Sequence, residues 1–397
     1  MTELRPAENF LFLPKLYDLF KNSILGSYGD IVDYLDVYVK NTDTYNIFYL
    51  DSARDILLKF EYSFTMKNLI LAITLSLLSL NLGAELIAHR GIHQTYNRNG
   101  LNNETCTASR IDKPKHQYLE NTLVSIEAAF NQFADIVELD VHPTTESHGP
   151  ENLVVFHDWT LNCRTNVSCS SGCNCNSKNE CETNKQSLSF LQSLDIGHGY
   201  TFDQSKSFPF RGKYWGMMPS FKEVLDLLQK YPKKSLLVNV KGNKLRTAKA
   251  FVSLVSKYPL DLRKRIHFPH RYGLEVELKK LGVLDEISQA NKKCIFTYLK
   301  VGWKGVFPKE CHGIEMMIPI RETLERFLGR PGRLFKFKMV LWGWPHRFIE
   351  LAHKHGTKVY ASQVDSIREY NKMRKLNLDG IMTNKIEVIG PYSQTIY

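Results

Sequence analysis

Two histidines and two carboxylates follow short apolar stretches between residues 86 and 158. His89 closes the first stretch, Glu138 and Asp140 lie in the second, and His157 follows the third. In parallel α/β folds the carboxyl ends of strands carry the catalytic groups. Residues two apart point to the same side of a strand, and paired carboxylates in an apolar strand repel unless a cation compensates them. The pattern therefore predicts a divalent cation flanked by a histidine acid/base pair.

The order of these groups resembles that of the glycerophosphodiester phosphodiesterase family, within the phospholipase C-like phosphodiesterase superfamily. The matching stretches are 88–91 (Ala-His-Arg-Gly), 118–123 (Tyr-Leu-Glu-Asn-Thr-Leu), 138–141 (Glu-Leu-Asp-Val), 156–158 (Phe-His-Asp), Lys241 after 236–240, and 379–384 (Asp-Gly-Ile-Met-Thr-Asn). The resemblance covers Glu85 to about Pro391. It implies an α/β fold of the TIM-type (β/α)8 barrel class and a phosphodiesterase that uses one divalent cation, Ca²⁺ or Mg²⁺.

The resemblance also implies roles for individual side chains. It assigns catalysis to His89 and His157, substrate binding to Arg90 and Lys241, metal binding to Glu138, Asp140 and Asn239, and support to Glu120 and Asp158. A phosphodiester is anionic and inert, so attack requires charge neutralisation, an activated nucleophile and a protonated leaving group. By resemblance, the neighbouring glycerol hydroxyl attacks first and water then opens a cyclic phosphate. The sequence leaves open which histidine acts first as the base.

Two positions depart from the family's pattern. The usual Glu-x-Lys of the fourth strand, whose Glu is a third metal ligand, is here Asn239 and Lys241. An amide oxygen still ligates hard cations, but the loss of one charge predicts weaker metal binding. The usual Thr-Asp near the C-terminus is Thr383-Asn384. Both histidines are retained, so the sequence predicts an active enzyme.

The expected activity is metal-dependent hydrolysis of glycerophosphodiesters to an alcohol and glycerol phosphate. Two alternatives stay open: a phosphodiesterase acting on lysolipid or sphingolipid, and a non-catalytic barrel that binds phosphodiesters. Five cysteines lie between residues 163 and 181, and an apolar active-site mouth beside that loop would favour the lipid substrates. Retention of His89, His157, Glu138 and Asp140 argues against a pure binding protein, which has no need of all four.

Length and charge agree with one barrel plus additional segments. The chain has 397 residues, and a barrel takes about 250. Residues 1–65 hold six basic and ten acidic residues, a net charge of −4, and residues 66–84 add one Lys, so residues 85–397 carry a net charge of +14 and the whole chain carries +11. A basic body attracts anionic small molecules or lipid headgroups and allows peripheral contact with a membrane. Dispersed Lys and Arg without a recognition motif argue against nucleic acid. Nothing in the sequence indicates the oligomeric state.

Residues 66–84 have the layout of a secretory signal peptide. Lys67 precedes an apolar run from Leu69 to Leu80, and a segment ending in Gly83-Ala84 follows. Such a run is short for a membrane span, which takes about 20 residues. We expect Met66 to be the initiator, with cleavage near Ala84 and a secreted or periplasmic barrel domain over 85–397. Residues 1–65 then form an N-terminal extension of gene-prediction origin; the alternative is a genuine extension followed by an uncleaved membrane anchor.

Cysteine usage also favours export. All eight cysteines follow Ala84, and five of them lie between 163 and 181, in a polar stretch just after His157. A polar loop that buries little apolar surface is held together by disulfides in an oxidising compartment. Zinc is the weaker alternative because paired C-x2-C spacing is absent. Five is odd, so one cysteine pairs outside the cluster or stays free. We expect a cysteine-rich insertion after the third strand, beside the active site.

The remaining pattern alternates between helices and strands. Apolar spacing predicts helices over 120–132, 221–230, 247–258, 273–281 and 348–355, and strands over 236–240, 358–361 and 380–383. The region 294–339 gives no clear strand count. This alternation, without an internal repeat or long linker, predicts a single barrel.

Overall fold

The strands of the protein form one curved and mainly parallel sheet. The computed structural model describes residues 84–102, 105–145, 153–170, 172–173, 175–289, 292–319 and 344–396. In these ranges the strands are β1 (Glu85–His89), β2 (Ile136–Pro143), β3 (Leu153–Val155), β4 (Ser235–Val240), β5 (Ile266–His267), β6 (Ser288–Gln289), β7 (Glu315–Pro319), β8 (Lys358–Ser362) and β9 (Gly380–Thr383). Their order is β5-β4-β2-β1-β9-β8-β7-β6, and each neighbouring pair is parallel. A parallel sheet curled in this way, with helices between its strands, confirms the TIM-type barrel class.

The helices follow the predicted alternation with shifted ends. The described α-helices are α1 (Leu123–Asn131), α2 (Leu188–Gln192), α3 (Phe221–Gln229), α4 (Lys244–Val255), α5 (Leu260–Arg263), α6 (Glu275–Leu281), α7 (Lys292–Val301), α8 (His346–Lys354), α9 (Ile367–Met373) and α10 (Ile386–Ser393). The predicted helix over 120–132 begins later because Thr122 caps α1, and its hydroxyl accepts a hydrogen bond from the Ser125 amide. That delay releases Glu120 and Asn121 from the helix, so both side chains can turn toward the sheet.

The strand over 153–155 differs in direction from the parallel arrangement that the sequence suggested. β3 pairs antiparallel with the last residues of β2, where Val141 lies opposite Val155 and Pro143 opposite Leu153. It is therefore a branch from the end of β2 and not a further parallel strand of the barrel. His157 still arrives at the carboxyl end of β2, because the chain returns there after only three strand residues.

The inner face of the sheet is filled by one apolar layer. A compact cluster draws its side chains from six of the strands and from the residue before β6: Ile87, Ile136, Leu237, Ile287, Met317, Tyr360 and Met382. Alternation places the next inward residues, His89, Glu138 and Asn239, one step nearer the carboxyl ends of their strands. The predicted site therefore lies next to this apolar layer, on the side of the carboxyl ends of the strands.

The cysteine-rich insertion has a hydrophobic core of its own. Its buried cluster includes Phe156, Leu161, Leu191 and Phe210, so the segment is more than a polar loop held by disulfides. The disulfides are Cys106–Cys163, Cys169–Cys175, Cys173–Cys181 and Cys294–Cys311. No cysteine is free, and Cys163 is the member of the cluster that pairs outside it. The expected disulfides are confirmed.

The predicted extension over 1–65 and the signal-like segment over 66–84 lie outside the described residues, apart from Ala84. Within the described ranges, no helix combines the length and apolar character that crossing a membrane requires.

Candidate active site

Three neighbouring strands present the predicted groups at their carboxyl ends. On β1 and β2, His89 lies opposite Glu138, and on β2 and β4, Asp140 lies opposite Asn239. Parallel register therefore brings together four of the predicted side chains without any loop. Lys241, directly after β4, adds an ammonium group 3.4 Å from Oδ1 of Asp140.

The backbone after β1 is strained in a way that redirects the chain. Arg90 has φ +60° and Asn121 has φ +58°, values that are uncommon for residues other than glycine. The two residues are linked, because the Asn121 amide donates to the Arg90 carbonyl at 3.0 Å. Gly91 also has positive φ, and a Cβ there would lie 2.7 Å from Oγ of Ser125 on α1. The glycine after His-Arg is needed because the helix approaches so closely.

Asp140 is the buried centre of the cluster. Its Oδ2 lies 3.2 Å from Nε of Arg90 and accepts a hydrogen bond from Asn121 Nδ2, also at 3.2 Å. Its Oδ1 accepts one from Asn239 Nδ2 at 3.0 Å. Burial alone would raise the pKa of this carboxyl, but Arg90, followed by His157 and Lys241, holds it below its ordinary value. Asp140 is therefore ionised, and it orients the cationic side chains around it.

Glu138 has the opposite environment. It is 5% exposed, its Oε2 has no hydrogen-bond partner, and Nε2 of His89 lies 3.8 Å from that oxygen. Burial, reinforced by the charge of Asp140, raises the pKa of Glu138. A buried carboxylate oxygen without a partner is costly. The side chain is suited to an ionic partner of positive charge at the mouth of the barrel.

The donor set at this point consists of oxygens. Glu138 and Asp140 supply carboxylates, and Asn239, whose side chain is exposed, can turn its amide oxygen toward them because the two ends of an amide are interchangeable by rotation. Within the described ranges no three His, Cys, Asp or Glu side chains converge as metal ligands. A cation here would depend on the amide of Asn239 as its third protein ligand. Oxygen donors of this kind fit a hard divalent cation.

His89 is held by a two-step relay. Its Nδ1 lies 2.7 Å from Oδ1 of Asn384, and the Asn384 amide donates to both oxygens of Asp365, at 3.0 and 2.8 Å. The carboxylate fixes the amide, so the amide oxygen must face His89, and His89 carries its proton on Nδ1. Burial, followed by the neighbouring Arg90 charge, lowers the pKa of the imidazole. Its Nε2 is thereby left unprotonated toward the mouth.

His157 has a carboxylate as its partner. Its Nδ1 lies 2.6 Å from Oδ1 of Asp158, and its side chain is 29% exposed. Burial would raise the pKa of Asp158, but Arg164 and His157 hold it below its ordinary value. This short contact with the Asp158 carboxylate fixes the orientation of the His157 ring.

Arg164 connects the two halves of the site. The residue is 2% exposed, its Nε donates to Oδ2 of Asp158 at 2.7 Å, and its Nη1 lies 3.2 Å from Oε2 of Glu120. Oε1 of Glu120 accepts in turn from Nη1 of Arg90 at 3.1 Å. Burial opposes ionisation of Glu120, yet Arg164 and Arg90 lower its pKa to about 2. Glu120 and Asp158 therefore support Arg90 and His157 respectively.

The structure brings all nine predicted site residues into this one cluster, and it adds others that sequence reasoning missed. Arg164 binds Asp158 and Glu120, Asn384 binds His89, and Asn121 binds Asp140, while Asp365 acts one step away by holding Asn384. Asn121 and Asn384 lie within the motif blocks, where an amide beside an assigned residue was an available signal. The sequence holds no such signal for Arg164 or Asp365, because a single charged residue in a polar stretch is predicted to lie on the surface.

Two aromatic side chains flank His157 on the side of the insertion. Trp159 is 57% exposed, and its ring meets that of His142 edge to face at 5.7 Å between centroids. His142 is buried on β2, two residues beyond Asp140, and its Nε2 lies 3.4 Å from the His157 carbonyl. Burial lowers the pKa of His142 to about 4, so it is neutral. An exposed indole thus borders the site beside one catalytic candidate.

Comparisons with known proteins identify the family of this chain. A model of the glycerophosphoryl diester phosphodiesterase family matches residues 89–388. A glycerophosphodiester phosphodiesterase of Caldanaerobacter subterraneus subsp. tengcongensis is 25% identical over 271 residues, which is 68% of this chain and 90% of that protein. The solved glycerophosphoryl diester phosphodiesterase domain of a Mycobacterium tuberculosis protein is similar with a TM-score of 0.51 at 13% identity, covering 78% of this chain and 99% of that one. A solved phosphodiesterase of Oleispira antarctica in complex with sn-glycerol-3-phosphate is similar with a TM-score of 0.43 at 18% identity, covering 79% and 99% of the two chains.

Proposed function

We propose that this chain, which belongs to the glycerophosphoryl diester phosphodiesterase family, hydrolyses glycerophosphodiesters to an alcohol and glycerol phosphate by histidine acid/base catalysis with a divalent cation. One observation carries the proposal: His89 and His157, which have different hydrogen-bond partners, both face the charged cluster around Asp140. Asp140 interacts electrostatically with both His89 and His157, and the two imidazoles are 26% and 29% exposed. Both can therefore reach a substrate bound over Asp140.

The cationic side chains provide the binding site for the phosphate. Arg90 is fixed between Glu120 and Asp140, so its guanidinium keeps one orientation. Lys241 reaches over Asp140 from the adjacent strand. The phosphodiester anion brings a negative charge to this point, and positioned cations stabilise the further charge that develops on its oxygens during attack. Arg90 and Lys241 are the substrate-binding residues of the proposal.

The different partners of the histidines suggest their order of action. Asn384 offers a neutral oxygen, which keeps His89 as a neutral imidazole with a free Nε2, and such a group acts as a base. Asp158 offers a carboxylate that holds Nδ1 of His157, which leaves Nε2 as the nitrogen that can pass a proton to the substrate. We propose that His89 takes the proton of the glycerol hydroxyl as its oxygen bonds to phosphorus, while His157 protonates the departing alcohol oxygen.

The second half of the reaction reverses these roles. The first half leaves a cyclic phosphate, a protonated His89 and a neutral His157. His157 then takes a proton from water as the water oxygen bonds to phosphorus, and His89 returns its proton to the ring oxygen that leaves. Glycerol phosphate is released, and both histidines regain their starting protonation states. No further acid or base is needed.

Glu138, Asp140 and Asn239 are the residues proposed to hold the cation, Ca²⁺ or Mg²⁺. When bound, the ion supplies Lewis-acid charge to a nonbridging phosphate oxygen. The orphaned Oε2 of Glu138 supports this assignment, because a cation would satisfy it. Having two carboxylates, the site should bind the ion less tightly than one with three.

Turnover with metal and chelator tests the proposal. The purified protein is incubated with glycerophosphocholine and, separately, with lysophosphatidylcholine, in Ca²⁺, in Mg²⁺ and in excess chelator. We expect glycerol phosphate from the first substrate and loss of activity in chelator. The exposed Trp159 beside His157 favours some acceptance of a lipid, so faster turnover of lysophosphatidylcholine would select that alternative. Binding of either compound without any turnover would identify a non-catalytic barrel.

We further propose that the barrel domain is exported to an oxidising compartment, with a membrane-anchored form as the alternative. All eight cysteines pair in four disulfides, which supports this location. The signal-like layout of residues 66–84 supports it independently.

A further inference from the structure

We propose that Arg164 is a positioning residue that fixes catalytic His157 and phosphate-binding Arg90 in one geometry, and that supplying it is a task of the disulfide-bonded insertion. The inference rests on the proposed function, since it concerns the same site. Arg164 touches neither the phosphate-binding atoms nor either histidine. It acts through two carboxylates, each of which shares its second oxygen with a residue of the reaction.

The contacts form one uninterrupted chain across the site. From His157 the chain passes to Oδ1 of Asp158 at 2.6 Å, and from Oδ2 of Asp158 to Nε of Arg164 at 2.7 Å. From Nη1 of Arg164 it passes to Oε2 of Glu120 at 3.2 Å, and from Oε1 of Glu120 to Nη1 of Arg90 at 3.1 Å. A rotation of Arg164 would therefore move both ends.

The environment of Arg164 leaves it little freedom. Its side chain is 3% exposed, Nη2 donates to Oγ1 of Thr107 at 2.9 Å, and Nη1 donates to the hydroxyl of Tyr200. All three nitrogens of the guanidinium are thus engaged, by two carboxylates and two hydroxyls. A planar guanidinium can do this, whereas a lysine ammonium is a single point of charge that cannot span both carboxylates in the same way.

Charge balance shows why the residue cannot be removed without consequence. Asp158 and Glu120 are both held ionised chiefly by Arg164 against the effect of burial. Without it, Arg90 would be left to neutralise Glu120 as well as Asp140, and Asp158 would have His157 alone. A buried carboxylate that has lost its cation reorients or takes up a proton, and either change releases the histidine or arginine that it holds.

Arg164 belongs to the insertion and is clamped there. It follows Cys163, which is bonded to Cys106, and Cys106 precedes Thr107, a direct partner of the guanidinium. The Gly199 amide donates to the Arg164 carbonyl at 3.1 Å, and a Cβ on Gly199 would overlap the Cys163 carbonyl. The insertion therefore holds the backbone of Arg164 in place, while the side chain of Arg164 reaches the carboxylates of the barrel site.

Three variants test the proposal: Arg164→Ala, Arg164→Lys and the matched control Arg110→Ala. Arg110 lies in the same region, and its guanidinium donates to the Asn99 carbonyl at 2.9 Å; within the described residues, no hydrogen bond joins it to the site. We expect kcat to fall by about 10²-fold in Arg164→Ala, as for a misplaced catalytic group, with a smaller change in KM, because the carboxylates fix orientation more than occupancy. Arg164→Lys should recover part of the loss, added guanidinium should restore part of the Arg164→Ala activity, and Arg110→Ala should match the wild type.

A second measurement does not depend on turnover. The short hydrogen bond between His157 and Asp158 should give a downfield imidazole proton resonance that His157→Gln removes. We expect Arg164→Ala to lose or shift this resonance while the protein retains its fold by circular dichroism, and Arg110→Ala to keep it. If Arg164→Ala does not fold, Arg164→Lys, which keeps the charge, is read in the same way.

The outcomes separate the two proposals. A wild-type protein without phosphodiesterase activity would refute the proposed function, and the resonance would still test Arg164. Folded Arg164 variants with wild-type kcat and an unchanged His157 resonance would overturn the positioning role. A loss of kcat that guanidinium does not relieve, with the resonance unchanged, would also overturn it, because Arg164 would then act on folding alone.

Discussion

At the scale of single residues, the two histidines differ in what lies behind them. His89 is backed by the amide of Asn384, which Asp365 fixes in place, and His157 is backed directly by Asp158. The family's usual Thr-Asp would put a carboxylate behind the first histidine. Here the Asn384 amide lies between Asp365 and His89, so the Asp365 carboxylate does not contact the imidazole.

Removing either imidazole should abolish turnover. We expect His89→Ala and His157→Ala each to lower kcat by at least 10²-fold, since one positioned proton-transfer group contributes about 10²–10⁴-fold. Thermal unfolding and metal binding should change little, because both side chains are partly exposed and neither is a proposed ligand. Steady-state kinetics with calorimetric metal titration checks this. A variant that keeps more than a tenth of the wild-type rate would remove that histidine from the mechanism.

Asn239 should set the metal affinity. Asn239→Glu adds a third carboxylate, so we expect tighter binding and a lower metal concentration for half-maximal activity, whereas Asn239→Ala should raise that concentration. Because Asn239 is exposed at the end of β4, neither change should alter the fold much. Activity is measured against Ca²⁺ and Mg²⁺ concentration for the three proteins. Identical curves with altered thermal stability would exclude Asn239 from the metal site.

The nine site residues predicted from the sequence lie in one cluster, and the roles assigned to them stay predictions. Arg164 and Asp365 escaped notice for a physical reason. Their partners are distant in sequence, Glu120 for Arg164 and Asn384 for Asp365, so these contacts exist only in the folded chain.

At the scale of elements, the cysteine insertion is joined to the segment between β1 and α1 by the Cys106–Cys163 disulfide. Its disulfides are unequal in span: Cys106–Cys163 closes 57 residues and Cys169–Cys175 closes 6. The chain-entropy relation gives about 4 kcal/mol for the longer loop and about 2 kcal/mol for the shorter. The longer one also holds the backbone of Arg164.

We therefore expect the two disulfides to differ in function. Replacing Cys106 and Cys163 together by Ser should lower both the thermal midpoint and kcat. The matched replacement of Cys169 and Cys175 by Ser should lower the midpoint less and leave kcat near the wild-type value. Melting curves and initial rates of the two double variants provide the comparison. Equal losses of kcat would show that the insertion acts as a whole and that the Cys106–Cys163 bond has no special role.

The start of α3 offers a test of a single cap. The Ser220 hydroxyl accepts from the Glu223 amide, and Glu223 Oε2 accepts from the Ser220 amide at 2.8 Å, which completes a capping box. Ser220→Ala should reduce the free energy of unfolding by about 1 kcal/mol, with kcat unchanged because the Ser220 hydroxyl is bonded to Glu223 and not to a site residue. Denaturant titration measures the loss. No change in stability would mean that the cap is redundant.

Periodicity predicted the existence of the main helices and strands but not the orientation of β3. An apolar run of four residues is consistent with a strand in either direction, and pairing is decided by the connection that precedes it. Likewise, the predicted start of α1 at residue 120 was early. The apolar spacing continues through the preceding turn, whereas the helix itself begins after its N-cap, Thr122. Glu120 and Asn121 have their roles only because the helix starts after them.

At the scale of the whole molecule, the proposal of export rests on the signal-like layout of residues 66–84 and on the cysteine usage. We expect expression from Met66 in a secreting host to release a protein whose N-terminus is at or near Glu85 and which has few free thiols. N-terminal sequencing and thiol titration of the medium check both points. Recovery of residues 66–84 with the barrel in the membrane fraction would support the anchored alternative. Cytosolic protein with reduced thiols would contradict export altogether.

The double burial of β3 has a consequence for the protein's opening motions. Leu153 and Val155 belong to the main core of the barrel, whereas Val154 and Phe156 belong to the core of the insertion. The insertion cannot lift away without exposing one face of this strand, and the barrel cannot open there without exposing the other. Local breathing of either part is therefore suppressed at this point. In deuterium exchange, the amides of residues 154–156 should be among the last to exchange, at a rate set by unfolding of both cores together.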